Sequence, residues 1–235
     1  MTLRQAALDY LERDGVLCVA MLEALRTGRA SPLSVTPQGV ALQMGSRLLL
    51  SADDAPAALS LVPAHWDGVV QVAGAQRARQ VAQALGLSIL WECYQSVYCS
   101  KTPRPVCADI RPLGLAYHQA ILDHYHLFHD PEYITQRIEA GVMYGIFVEE
   151  NLAGFVGEHW EGSMGMLEVF PPYRRLGLAT QLHNFTINRY LAQGRTPFAE
   201  VLTDNAPSLA LQAKMGMTVS QDTVCALGRQ DSSSH

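Results

Sequence analysis

The residues best suited to chemistry lie together in residues 167–180, Leu-Glu-Val-Phe-Pro-Pro-Tyr-Arg-Arg-Leu-Gly-Leu-Ala-Thr. An apolar strand runs into Pro171 and Pro172, and a helix is expected to follow almost at once, from about Arg175 to Ala192, with Arg174, Gly177 and Ala179 in its first turns. A helix N-terminus leaves backbone N–H groups unpaired and carries partial positive charge. Gly177 and Ala179 let a ligand approach that backbone closely, and Arg174 and Arg175 add charge-assisted donors. Together they describe an anion cradle suited to a pyrophosphate. The two prolines end the strand early and leave its last backbone groups available for a ligand to pair with. The plainer alternative is a helix that merely follows a strand, which has no need of two arginines beside a bare glycine turn.

Proton transfer would fall to carboxylates. Glu200 sits on the strand expected over residues 197–202, on one face with Phe198 and Leu202. Glu168 stands between Leu167 and Val169, on the face of Met166 and Phe170. For each, a solvated strand carboxylate is the alternative. Glu158 and Glu161 flank a hairpin turn and are weaker candidates. His118, His124, His126 and His129 crowd one stretch, but their spacing fits no familiar ligand pattern and no cysteine joins them, so no metal is expected. Each of these histidines, and His159 and His183, reads most simply as a structural or helix-face residue.

These residues need a mixed α/β frame. Residues 33–51 alternate and break at Pro37-Gln38-Gly39 and Gly45, which predicts paired strands. Asp54 with Pro56 starts a short helix, and Gly86 stops a helix whose apolar face is Ala78, Val81, Ala82 and Leu85. Residues 101–105, Lys-Thr-Pro-Arg-Pro, form the linker candidate, because two prolines in three residues block helix and central strand alike. The expected domains are therefore 1–103 and 104–235. In the second part the order is β-α-α-β-β-β-α-β-α-β; Asp204 or Asn205 caps its last helix, which ends at Gly216, and a strand over residues 217–227 closes it.

Composition bounds the function. Of 235 residues, 49 % are hydrophobic, enough for a sizeable core, and the net charge of −5 argues against a general nucleic-acid binder. No run of apolar residues reaches membrane-spanning length, and no targeting segment stands out. Five cysteines, an odd number with no C-x-x-C pair, argue against a disulfide framework or a thiolate zinc site. A cytoplasmic protein with scattered reduced thiols is expected.

The stretch Arg174-Arg175-Leu176-Gly177-Leu178-Ala179 resembles motif A of the GNAT superfamily of N-acetyltransferases, Arg/Gln-x-x-Gly-x-Gly/Ala. Asn205-Ala-Pro-Ser208 and Lys214-Met-Gly-Met217 are similar to the family's closing asparagine, helix and Gly-aromatic pair, with Met217 replacing phenylalanine. The resemblance spans about residues 107–227, and the two-part layout looks like the glycine N-acyltransferase-like branches, in which a degenerate acyltransferase-like half precedes the working one. It implies an α/β (α+β) GNAT-like mixed sheet flanked by helices, and acetyl transfer from acetyl-CoA to the amine of a small molecule or amino acid. Arg174, Arg175, Gly177, Leu178, Ala179 and Thr180 would hold the pyrophosphate, the Val169 N–H would polarise the thioester carbonyl, and Asn205 would touch the pantetheine arm. Glu200 stands where some ribosomal-protein acetyltransferases place a base glutamate, which favours a protein N-terminal acetyltransferase as one alternative. Partial burial is expected to raise its pKa. Gln212 occupies the position of the family's proton-donating tyrosine, which favours a non-catalytic acyl-CoA-binding regulatory module as the other. Tyr173 is a substitute acid or a loop-packing residue. The oligomeric state and the acceptor are left open.

Overall fold

The computed structural model describes residues 1–125 and 130–229. In chain order the elements are α1 (Leu3–Leu11), α2 (Val19–Arg26), β1 (Ser31–Thr36), β2 (Gly39–Met44), β3 (Arg47–Ala52), α3 (Ala55–Ser60), β4 (Val70–Ala73), α4 (Ala75–Leu85) and β5 (Ser88–Val97). Then come β6 (Asp109–Pro112), α5 (His118–His124), α6 (Pro131–Glu139), β7 (Tyr144–Val148), β8 (Asn151–Glu158), β9 (Met164–Val169), α7 (Leu178–Ala192), β10 (Phe198–Leu202), α8 (Ala206–Lys214) and β11 (Thr218–Gly228). The expected mixed α+β architecture, with a mixed sheet flanked by helices, is what forms.

Local chemistry sets many of these bounds. The Asp54 carboxylate accepts the Ala57 N–H at 2.8 Å with proline in the first turn of α3, and Gly86 closes α4 in the left-handed region at φ 64°. The Asp130 carboxylate takes the N–H groups of Glu132 and Tyr133 at the start of α6.

The chain forms two compact units, the first being Met1–Val97 with Glu200–Ala213 and the chain from Met217 onward, the second Tyr98–Ala199 with Lys214–Gly216. In the first, strands run in the order β1-β2-β3-β4-β11-β5-β10. The pairing of β3 with β4 is parallel, as its connection through α3 requires, and the β1–β2, β2–β3, β4–β11 and β11–β5 pairs are antiparallel. Leu48, Leu50, Val70, Val72, Cys225 and Leu227 alternate onto one face and pack with Ala78 and Val81 of α4. Two strands from late in the chain thus complete a sheet begun early: β11 lies between β4 and β5, and β5 lies between β11 and β10.

The second unit is an antiparallel sheet, β6-β7-β8-β9, with a separate core on each face. Ile121, Ile134 and Ile138 of α5 and α6 cover Phe147, Phe155 and Met166. Leu182 of α7 covers Ile146, Val156 and Val169. Residues 101–105 have no regular structure, yet they are held against α7. Asn188 exchanges two hydrogen bonds with the Arg104 backbone at 2.7 and 2.8 Å, and the Asn184 amide donates to the Pro105 carbonyl at 2.8 Å. Prolines deny this segment a ladder, so side-chain amides satisfy its backbone instead. A bidentate ion pair, Arg195 to Glu158 at 2.8 and 2.9 Å, further ties the segment after α7 to β8.

Candidate active site

The expected strand, turn and helix form over residues 164–192, with the helix starting later than the sequence suggested. Pro171–Tyr173 is a short 3-10 turn, and α7 begins at Leu178 with Gly177 as its N-cap. Arg174 and Arg175 therefore belong to the turn before the helix and not to its first turns. The reason lies in the backbone: Arg175 has φ 69° and Gly177 φ 78°, and two left-handed residues cannot continue a right-handed helix. Among the described residues no side chain caps α7. The Gly177 carbonyl takes the N–H of Thr180 and Gln181, and among the described residues no hydrogen bond uses the N–H of Gly177, Leu178 or Ala179. A Cβ placed on Gly177 would meet no atom of the described residues within 4 Å beyond its chain neighbours. The turn is therefore open as well as donor-rich, which suits a bound anion.

Strand β9 presents its edge to the same turn. It is the last strand of its sheet, and the Phe170 N–H bonds the Ala153 carbonyl of the neighbouring chain segment at 2.9 Å. Alternation then directs the N–H and C=O of Val169 away from β8, to the uncovered edge. The Arg174 Nε–H donates to that Val169 carbonyl at 3.0 Å, which agrees with this direction. Farther back β9 carries a bulge: three residues of β8, Phe155 to Gly157, face four of β9, Gly165 to Glu168, and Met166 takes φ 49°. The bulge detaches the end of β9 from simple alternation and re-aims residues 167–169.

Glu168 and Arg174 are brought together as an ion pair at 3.1 Å, with side-chain exposures of 30 % and 58 %. The arginine is thus folded back on its own strand by the Val169 carbonyl and the Glu168 carboxylate. Tyr173 packs against both cores of its unit, the loop-packing role. Glu158 is committed to Arg195, whose charge burial opposes and Glu158 restores, and Glu161 accepts the Ser163 hydroxyl at 2.7 Å.

Glu200 and Asn205 belong to the first unit. Glu200 is half-buried on β10, and its Oε1 accepts from two amides, Gln71 at 3.2 Å and Gln95 at 3.1 Å. The Asn205 carbonyl oxygen accepts the Ser208 N–H at 3.1 Å and so caps α8. Gln212 is buried, and its amide oxygen takes the Ser96 hydroxyl at 3.0 Å. Sequence reasoning passed over Gln71 and Gln95; the available signal for Gln71 was a lone glutamine in the apolar stretch Val69-Val70-Gln71-Val72-Ala73, and Gln95, beside Ser96 on a strand that also holds Glu92, gave none.

His118 contacts the Pro131 carbonyl at 3.0 Å, and His124 stacks on Phe170 with centroids 3.9 Å apart. His126 and His129 lie outside the described residues. His159 shares a 2.8 Å hydrogen bond with the Tyr133 hydroxyl. The Tyr125 phenol is pushed up by burial. Among the described residues no three His, Cys, Asp or Glu side chains gather as a metal site, and no helix is long and apolar enough to cross a membrane.

Several solved structures share this fold. A Drosophila protein is similar over 97 % of this chain and 96 % of its own, at 17 % identity and a TM-score of 0.61. A GCN5-related N-acetyltransferase from Kribbella flavida aligns over 92 % of this chain and 96 % of its own, at 12 % identity and a TM-score of 0.57. A GNAT-family acetyltransferase from Colwellia psychrerythraea aligns over 96 % and 95 %, at 14 % identity and a TM-score of 0.54. No curated protein sequence matches. The profile of the acetyltransferase (GNAT) family matches residues 88–217, from the first residue of β5 through the β9–α7 turn and α8 to the residue before β11. With more than half of the sequence inside that match, the chain belongs to the GNAT family of acetyltransferases.

Proposed function

We propose that this protein transfers an acetyl group from acetyl-CoA to the amine of a small molecule or an amino acid, in the cytoplasm and within the glycine N-acyltransferase-like branch, its first hundred residues being a degenerate copy of the working half. The observation that carries this reading is the uncapped, glycine-initiated N-terminus of α7 beside the outward-facing Val169 N–H. The residues present fit an acyl-CoA: an anion finds helix amides, two arginines and an open glycine turn, and the uncovered edge of β9 can pair an extended amide-bearing arm.

In that reading Gly177, Leu178, Ala179 and Thr180 donate backbone N–H groups to the pyrophosphate, with Arg174 and Arg175 adding charge. The acyl-CoA supplies an activated carbonyl and a thiolate leaving group. Val169 donates its N–H to the carbonyl oxygen and stabilises the negative charge that gathers there. Asn205, besides capping α8, offers its amide to the pantetheine arm. Glu200 takes the proton of the acceptor ammonium, so that the nitrogen lone pair is free to form the new C–N bond as the C–S bond breaks. Glu168 is the less available carboxylate, because it is already paired with Arg174. Gln212 carries no ionisable proton, so water protonates the departing thiolate.

The test is thiol release from acetyl-CoA with a mixed panel of small amines, amino acids and peptides with free N-termini. Glu200→Gln should lower turnover by about 10²–10⁴ and leave acetyl-CoA binding intact. If Glu168→Gln is the variant that loses turnover, the base is Glu168. Turnover on peptides alone makes the protein an N-terminal acetyltransferase. The buried, Ser96-bound Gln212 favours a second reading, a non-catalytic acyl-CoA-binding module; thermal stabilisation by acetyl-CoA without thiol release on any amine would establish it.

A further inference from the structure

We infer that Gln71 and Gln95 are positioning residues for Glu200, and that through Gln71 the first hundred residues take part in the reaction; this rests on the reading of Glu200 as the base. Among the described residues, strand β10 ends its sheet, next to β5. The backbone bonds Tyr98 N–H to Pro197 and Thr203 N–H to Glu92 bracket this pairing and make it antiparallel. Counting inward from either bond sets Gln95 opposite Glu200. Their side chains share one face of the sheet, and the Gln95 amide reaches the carboxylate at 3.1 Å. Gln71 arrives from β4, and its amide reaches the same oxygen at 3.2 Å.

Two features mark these amides as more than filling. Both glutamines are buried, at 6 % and 0 % exposure, where a leucine or methionine would pack without any polar cost. Gln95 also leaves its own Oε1 buried with no partner among the described residues. Turning the amide over would set that oxygen against the Glu200 carboxylate, so the orphaned acceptor is the consequence of aiming the NH2 at Glu200. Two N–H donors converging on one oxygen hold the carboxylate in one orientation. A carboxylate on an edge strand has no such constraint from packing.

The experiment compares Gln71→Leu, Gln95→Leu and Gln95→Met in the full-length protein, with Glu200→Gln alone and combined with Gln95→Leu. Melting temperature and acetyl-CoA KM are read beside kcat, using whichever panel amine turns over. Positioning predicts kcat lower by about tenfold to a hundredfold, with KM for acetyl-CoA and melting temperature unchanged or the latter raised. In the Glu200→Gln background the added Gln95→Leu should cost almost nothing further. A merely structural role would lower the melting temperature and leave kcat per folded molecule intact. Full kcat in all three glutamine variants, with Glu200→Gln impaired, overturns the positioning and leaves the base reading standing. Full kcat in Glu200→Gln overturns the base reading and this inference with it. If no amine turns over, the side-chain NH2 resonances of Gln71 and Gln95 decide: a shift of both in Glu200→Ala supports the tether, and unmoved resonances overturn it.

Discussion

Gly177 allows backbone strain to be separated from occupancy of the cradle. Its φ of 78° lies where a Cβ is costly, yet among the described residues, chain neighbours aside, a Cβ there would touch nothing within 4 Å. Gly177→Val should lose about 1–2 kcal/mol of stability from the left-handed backbone alone. At roughly 2–4 °C per kcal/mol for a chain of this size, that is about 2–8 °C of melting temperature. Gly177→Asn should lose less, because asparagine tolerates this region. Both side chains project into the space where the pyrophosphate would sit. Acetyl-CoA at a hundred times its Kd should stabilise the native protein by about 2.7 kcal/mol, or about 5–11 °C. Loss of one charge-assisted hydrogen bond, about 1.5–3 kcal/mol, weakens binding roughly ten- to hundredfold. A hundredfold loss leaves about 0.4 kcal/mol at the same concentration, near 1 °C. The assay is differential scanning fluorimetry of the three proteins with acetyl-CoA and with acetyl-pantetheine, which lacks the pyrophosphate and should shift none of them much. A full acetyl-CoA shift in Gly177→Asn would refute the cradle, whatever the variant's own stability.

Three further outcomes follow from the structure. Arg195→Met should destabilise by about 3–5 kcal/mol, because it leaves the Glu158 carboxylate, whose side chain is 9 % exposed, without its bidentate partner; urea unfolding measures this, and a loss under 1 kcal/mol would show the pair to be dispensable. Alkylation at pH 8 should be fast at the exposed Cys99 and Cys107 and slow at Cys18, Cys93 and Cys225, with Cys18 and Cys225 held as thiols because burial pushes both up to about 11; mass spectrometry of the labelled peptides reads the order, and fast labelling of Cys18 would contradict its burial. A truncated chain of residues 104–235 should be insoluble or aggregated on size-exclusion chromatography, since it lacks β5, the strand between β11 and β10, and leaves both with open edges; a monodisperse, cooperatively melting fragment would refute this.

What the sequence determined by itself was local. Asp54, Gly86, Asp130 and Asn205 end or begin elements through groups within a few residues, and alternation or helical spacing assigns faces without knowledge of partners. The cradle was legible for the same reason: strand, prolines, arginines, glycine and helix are consecutive, so their types report their use. Even there, tertiary structure and strain moved the helix start to Leu178 and turned Arg174 back onto Glu168 and the Val169 carbonyl. The insertion of β5 between β11 and β10 was not legible, because pairing joins segments more than a hundred residues apart and an apolar strand does not name its neighbour. The surroundings of Glu200 depended on that pairing. Alone in the sequence it is one strand carboxylate among several, and only the folded sheet brings Gln71 and Gln95 to its oxygen.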